Sequence, residues 1–582
     1  MGVPVLPAAR HPRAGADLGR ADHRDHARVR AHDRGAAGVL RGAVRRAGAL
    51  HRVRRVARDR RRARRVLPAH RRRAGRAGRR HGLAGRGLDD RHRGGIVRGV
   101  LVVGGEQGRG HHRGGRHRLH RVDPGGAVST ARLRLSRASY AGDLPKAGTG
   151  IVHLGLGAFH RAHQAVLTQE AMLAEPGDWA ICAVGQRSGA VRDALAAQDC
   201  LFTVAERDAE GERLRVVGSI QEVLLATTQP HRLATILSDV DIRVVTITVT
   251  ESGYRHDPAT GRLRAADPEV ASDLTGRSPG TVIGQLVGGL RRRRHRGHGG
   301  LTVLSCDNLP DNGTLVAGLV REFCLLGHET ALADWVAEHV RFPSTVVDQI
   351  VPATTGADLA AVAEGLGLED RAAVVGEPYR QWVIEDDFAA GRPAWDRAGA
   401  TLVTDIAPHQ AAKLRLVNGT HSALAYLGML AGCSSTAEVA GRDELAAYAS
   451  RLMIEETGAS LARFGLVVGD REVQTLLGRL RNPRITHRLA QIGADGPRKL
   501  PQRLLAPAEE LLASGREPRL ICLALAGFLR HQGLSELDFL PASLRGSVVF
   551  LELLAEATDR LVADGVTATV RRMAEEASHG PA

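Results

Sequence analysis

The hydrophobic pattern becomes regular near residue 150. Residues 150–155 form a short apolar run with a glycine at each end, and residues 160–173 carry apolar positions at helical spacing, so a strand, a glycine turn and a helix are predicted in that order. A second strand is predicted at 179–185 and a helix at 190–197. Residues 201–206 and 214–220 flank Asp208-Ala209-Glu210-Gly211 as the arms of a hairpin. The β-branched runs 244–250 and 301–305 suit central strands covered on both faces. Strands alternating with helices imply an α/β Rossmann-type nucleotide-binding domain. Beyond about Pro352 the strand signals fade, and residues 407–432, 443–456, 472–480 and 519–533 carry helical periodicity. The expected organisation is a Rossmann-type domain over 128–351 and a mostly α-helical C-terminal domain over 352–582.

Charge separates a third segment from these two. The 582 residues carry a formal charge of +18, but residues 1–127 hold 34 Arg, no Lys and nine acidic residues, whereas residues 128–582 hold 47 basic and 54 acidic ones. The first 127 residues also lack Phe, Tyr, Trp, Cys, Ser, Thr and Asn, so they cannot build an ordinary core. Two readings of this segment are a basic arm for phosphate backbones and GC-rich DNA translated ahead of the gene. The lack of Lys, Ser and Thr favours the second, with Val128 as the expected start, a disordered or spurious extension before it, and no nucleic-acid partner. The clustered His111, His112, His117 and His120 fall under the same compositional reading, and no metal site is expected. Six scattered cysteines without a CxxC pair, no leader-like apolar segment and no membrane-length apolar run predict a cytoplasmic protein.

Candidate chemistry lies in the body of the chain. Gly155-Leu156-Gly157-Ala158-Phe159-His160 follows the first strand and opens a helix, so Gly155, Gly157, Ala158 and Phe159 are candidates to hold a pyrophosphate, although His160 replaces the third glycine of the usual pattern. Past the second strand stands Gln186-Arg187-Ser188 where an acidic residue often grips the ribose; Arg187 is either an exposed turn residue or a contact for a 2′-phosphate. NAD is therefore the expected cofactor, with NADP open.

Lys413 is one of only three lysines among 81 basic residues. An ammonium, unlike a guanidinium, can lose its proton near neutral pH when desolvated, which makes Lys413 a candidate general base. On an ideal helix Asn418 and His421 lie roughly 140° and 80° from it, on one broad face. Asn418 is then a donor to a developing alkoxide and His421 an orienting partner. Asn308, beyond the strand 301–305, offers a second amide.

The segments IVHLGLGAFHRAHQA (151–165), TVTESGY (248–254), SCDNLPDNG (305–313), FPSTVVDQIVPATT (342–355), EPYRQWVIEDDF (377–388) and KLRLVNGTHSALAYLG (413–428) resemble the mannitol dehydrogenase family, the polyol-specific long-chain dehydrogenases and reductases. The resemblance implies metal-independent hydride transfer between a secondary alcohol and nicotinamide. The family's Lys-x4-Asn-x2-His pattern falls on Lys413, Asn418 and His421, its strand-end asparagine on Asn308, and its substrate-contacting Asp and Lys on Asp348 and Lys499. Gln349 stands where the family usually has Arg. Residues 491–503 resemble the fructuronate reductase (mannonate oxidoreductase) branch, whereas mannitol 2-dehydrogenases tend to have Arg at the position of Gln491. The implied partner is a small polyol or sugar acid; mannitol-1-phosphate 5-dehydrogenase activity is the alternative within the family, and nucleic-acid binding through the Arg-rich segment the alternative outside it.

Overall fold

The computed structural model describes residues 132–276, 279–534 and 537–578. The Arg-rich segment 1–127 and the expected start at Val128 lie outside the described residues. Twelve strands occur among those described: β1 Thr149–Leu154, β2 Ala180–Gly185, β3 Phe202–Arg207, β4 Glu212–Val217, β5 Ile220–Leu225, β6 Val244–Ile247, β7 Leu301–Ser305, β8 Val340–Arg341, β9 Thr345–Asp348, β10 Val374–Gly376, β11 Gln381–Glu385 and β12 Thr401–Val403.

Six of them form a sheet in the order β5-β2-β1-β6-β7-β8, with every neighbouring pair parallel. From β1 the chain moves outward through β2 to β5, then returns to β6 on the other side of β1. The switch point therefore lies at the carboxyl ends of β1 and β6, where open α/β sheets bind ligands. Along β1, Val152 and Leu154 enter one core cluster and Ile151 the other. A strand buried on both faces has no polar alternation, which is why this element reads as a continuous apolar run.

The hairpin is present as antiparallel β3 and β4, to which β10 adds in parallel. A second small sheet has the order β12-β11-β9. These strands correct the expected boundary at 351/352, because β10, β11 and β12 all follow Pro352. They are three to five residues long, too short to show a period of two; β10 and β11 pair with β3 and β9 from earlier in the chain, and β12 adds to β11. The helix expected over 160–173 is also interrupted: His163 takes φ −111° and ψ −87°, dividing it into Ala158–Ala162 and Gln164–Ala174.

From Ala407 onward the chain is helical and encloses its own core, in which Leu424, Leu427, Leu523 and Phe528 are buried. Helix Ala407–Ala412, with Pro408 in its first turn, runs through a π-helical turn, Lys413–Asn418, into helix Gly419–Leu430. The architecture is thus a Rossmann-type domain followed by a mostly helical one. Among the described residues no helix is long and apolar enough to cross a membrane, and all six cysteines are free and buried.

Candidate active site

The turn after β1 is set by Gly155. Its φ is +117°, and a Cβ there would lie 2.0 Å from the Thr248 carbonyl oxygen, so only glycine fits between the ends of β1 and β6. His153 fastens the same junction: Nε2 lies 2.7 Å from the Gly155 carbonyl and 2.9 Å from Thr248 Oγ1, and Nδ1 is 2.7 Å from Thr246 Oγ1. The His160 ring stacks on His153 with centroids 3.3 Å apart. Burial lowers both pKa values, His153 to about 3. The pattern-breaking His160 therefore packs beneath the loop. Gly157 has no atom within 4 Å of where its Cβ would stand, so the loop backbone is open on its outer side.

That open side borders a cleft of about 1010 Å³ between the two domains. Gly157, Ala158 and Phe159 line one wall, and Lys413, Asn418 and His421 line another. The exposed loop backbone at the switch point fits a dinucleotide pyrophosphate, which is held by main-chain N–H groups. Gly155 adjoins the cleft in a smaller cavity that it shares with Gly157 and Arg187.

Lys413, Asn418 and His421 are each 8% exposed. Lys413 Nζ donates to Asn308 Oδ1, linking the helical domain to the loop after β7. Burial is the main cause that lowers the Lys413 pKa to about 8; the nearby Asp348 carboxylate opposes this, and Arg503 and Arg479 add to it. The π turn places Asn418 differently from an α-helix. Gly419 N donates to Leu414 O, five residues back, and the wider turn brings Asn418 toward the side of Lys413. Asn418 Nδ2 and His421 Nε2 are buried without a hydrogen-bond partner in the protein. Burial, with His487 and Arg479 nearby, lowers the His421 pKa to about 3, so the ring is neutral.

Asp348, at the end of β9, lines the cleft and accepts a 2.7 Å hydrogen bond from Arg479 Nη1. The same guanidinium donates to both Glu377 oxygens, at 3.0 and 2.7 Å, and lies 3.9 Å from the Tyr379 ring centroid. Burial pushes both carboxyls up; at Asp348 the Arg479 and Lys413 cations outweigh it and hold the pKa below its ordinary value, whereas at Glu377 burial prevails. Gln349 donates to the Glu377 carbonyl at 2.9 Å, so Arg479, from helix Asp470–Leu480, supplies the charge beside Asp348.

Lys499 is not in this cleft. It lines a neighbouring cavity of about 710 Å³ with Glu251, Asp495 and Arg503, and its Nζ donates to the Ala494 carbonyl at 2.7 Å. Asn308 lines both cavities. Sequence reasoning missed Arg479 and Arg503; the latter donates to Ser422 Oγ at 3.0 Å behind Asn418. It also missed His487, whose ring meets that of His421 edge-on at 5.7 Å. None of these three stands out in the sequence, where arginine and histidine are abundant. Among the described residues no group of three or more His, Cys, Asp or Glu side chains converges as metal ligands would.

A nucleotide loop facing a buried lysine across an interdomain cleft defines a Rossmann-type oxidoreductase with a helical second domain. Residues 149–397 match the mannitol dehydrogenase Rossmann domain and residues 405–536 the mannitol dehydrogenase C-terminal domain. The D-mannonate oxidoreductase of Escherichia coli is 39% identical over 419 residues, spanning 70% of this chain and 85% of the relative. A mannitol 2-dehydrogenase of Pyrenophora tritici-repentis is 38% identical over 396 residues, 66% and 70% of the two chains. The ternary complex of Pseudomonas fluorescens mannitol 2-dehydrogenase with NAD and D-mannitol superposes with a TM-score of 0.66 at 32% identity, covering 76% of this chain and 100% of that one. The chain belongs to the mannitol dehydrogenase family of oxidoreductases.

Proposed function

We propose that the chain interconverts a polyol or aldonate with its ketose or keto-acid, using a nicotinamide dinucleotide such as NAD and Lys413 as general base. The observation that carries this reading is the contact of Lys413 Nζ with Asn308 Oδ1 inside the cleft that also contains the loop residues Gly157, Ala158 and Phe159. When bound, the dinucleotide supplies the hydride acceptor or donor.

Lys413 then takes the hydroxyl proton of the secondary alcohol. With a pKa near 8, it has both a neutral form that can accept this proton and a charged form that can return it in the reverse direction. Accepting from Nζ through its oxygen leaves the Asn308 amide NH₂ free to donate, and the unpartnered Asn418 Nδ2 is a second donor; together they stabilise the developing alkoxide. The neutral His421 offers Nε2 to a neighbouring hydroxyl. Asp348, fixed by Arg479, accepts from another hydroxyl and keeps the charged lysine compatible with burial.

Arg484 and Arg488 also line the cleft, and their guanidinium groups have no ion-pair partner among the described residues. They support a sugar acid over a neutral polyol, because a carboxylate provides the missing counter-charge. The test is a panel of D-mannonate, D-mannitol and mannitol 1-phosphate with dinucleotide reduction followed by absorbance. Turnover of D-mannonate above the other two is expected. No dinucleotide-linked turnover of any of the three refutes the reading.

A further inference from the structure

The Asn308 side chain is exposed to the cleft, and Lys413 is its one hydrogen-bond partner among the described residues. Its aim is therefore set by the turn that carries it, and the residue before it fastens that turn. Asp307 lines the cleft, and both of its carboxylate oxygens face donors. Oδ1 accepts from the Thr250 N–H at 2.9 Å; Oδ2 accepts from the Val249 N–H at 2.9 Å and from the Tyr254 hydroxyl at 2.7 Å. Tyr254 is fully buried, and since its proton goes to the carboxylate, its oxygen accepts from Ser305 Oγ at 2.7 Å.

The Asp307 carbonyl is held as well. It accepts from the Leu309 N–H at 2.8 Å and from Asn312 Nδ2 at 3.1 Å. The same Asn312 amide donates to the Thr345 carbonyl at 3.1 Å and accepts from the Thr345 N–H at 2.9 Å. Thr345 opens β9, which ends at Asp348. One residue thus ties together the segments after β6 and β7 and the strand β9, from which Thr250, Asn308 and Asp348 reach the cleft. The arrangement is unfavourable in isolation. The Asp307 carboxylate has no cation partner among the described residues, and burial pushes its pKa up against the three donors. Thr250, a β-branched residue, takes φ +66°. Such conformations persist where surrounding contacts over-determine them, and they collect at functional sites.

We propose that Asp307 is a positioning residue for hydride transfer: with Tyr254 as a donor, it fixes the turn that aims Asn308 at Lys413 and at the developing alkoxide. The inference rests on the reading of Lys413 as general base and Asn308 as an amide donor. The role requires a carboxylate, because an asparagine of the same shape would turn an N–H toward the N–H of either Thr250 or Val249.

Asp307→Asn and Tyr254→Phe, made in the full-length protein, test it. Four quantities are compared with the unaltered protein: Tm, the Kd for NAD by calorimetry, kcat for the best substrate among D-mannonate, D-mannitol and mannitol 1-phosphate, and the pH midpoint of alcohol oxidation. Asp307→Asn should lower kcat by about 10- to 100-fold while the Kd for NAD stays within about threefold. Asn308 Oδ1 accepts from Lys413 and so favours the charged amine; its displacement should move the midpoint to lower pH by about one pH unit. Tyr254→Phe removes one donor and keeps both backbone bonds, so it should lower kcat by about 3- to 10-fold with the midpoint moving the same way. A lower Tm with unchanged kcat and midpoint overturns the assignment, as does a loss of NAD affinity that matches the loss of kcat. If Asp307→Asn does not fold, Tyr254→Phe decides by the same criteria. No turnover of any of the three substrates by the unaltered protein overturns the underlying reading and the inference together.

Discussion

Asp348 and Arg479 are joined at 2.7 Å across the boundary between the sheet-bearing and helical parts of the chain. Arg479 also holds Glu377, so one buried guanidinium serves two buried carboxylates. Arg479→Ala leaves Glu377 without its counter-charge and Asp348 with Lys413 alone. A loss of about 3–5 kcal/mol is expected, the usual cost of breaking a buried pair from one side. Urea denaturation measures it, and a loss below about 1 kcal/mol would contradict the assignment.

Lys413→Ala should reduce kcat roughly a hundredfold or more, as expected on removal of a positioned base. The unaltered enzyme should oxidise alcohol faster as pH rises through about 8, where Lys413 becomes neutral, and reduce the ketone more slowly over the same range. Parallel pH–rate profiles in the two directions would argue against a single lysine acting as base and acid.

Gly155→Ala forces a side chain into a backbone at φ +117° and against the Thr248 carbonyl. Loss of dinucleotide binding is expected, together with at least about 1 kcal/mol of stability. Titration with the nucleotide and a thermal melt check the two parts separately.

Glu456 lies outside the cleft, accepting from the Leu520 and Ile521 N–H groups at 2.7 Å each. Burial raises its pKa from 4.5 to about 7, so folding favours the protonated acid. The contribution of this group to stability is full below about pH 4.5 and declines as pH rises through 7. Glu456→Gln should therefore flatten the fall in Tm between pH 5 and pH 8. An unchanged slope would mean that this carboxyl does not titrate in that range.

Among the described residues, every side chain of the cleft lies beyond residue 150. Deleting residues 1–127 should leave dinucleotide-linked turnover unchanged and remove no salt-sensitive nucleic-acid binding, measured by filter retention on a DNA duplex. Loss of such binding on deletion would restore the basic-arm reading.

Much of this site is legible in the sequence because its residues are unusual in their surroundings. Gly155 and Gly157 interrupt a run of apolar residues, and Lys413 stands out in a chain that otherwise uses Arg. Arg479 is hidden for the opposite reason: helix Asp470–Leu480 is charged and amphipathic, and nothing local separates a guanidinium that reaches across to Asp348 from one in water. Strand β10, three residues long, depends on β3 far back in the chain, with Val374 opposite Val204. Lys499 falls in the second cavity because the chain turns at Asp495, with φ +59°, and helix Gly496–Leu500 begins there. Spacing along the sequence does not reveal such a change of direction.

The π turn after Lys413 also places a constraint on how this enzyme can vary. Removing one residue between Leu414 and Val417 would regularise the helix, ordinarily a gain for the backbone. It would also remove Arg415, whose buried guanidinium is paired with Glu510, or Leu416, which lies in the helical core. At this point a deletion that relaxes the backbone would cost a buried side chain, so the extra residue of the turn is held in place by the packing of the helical domain.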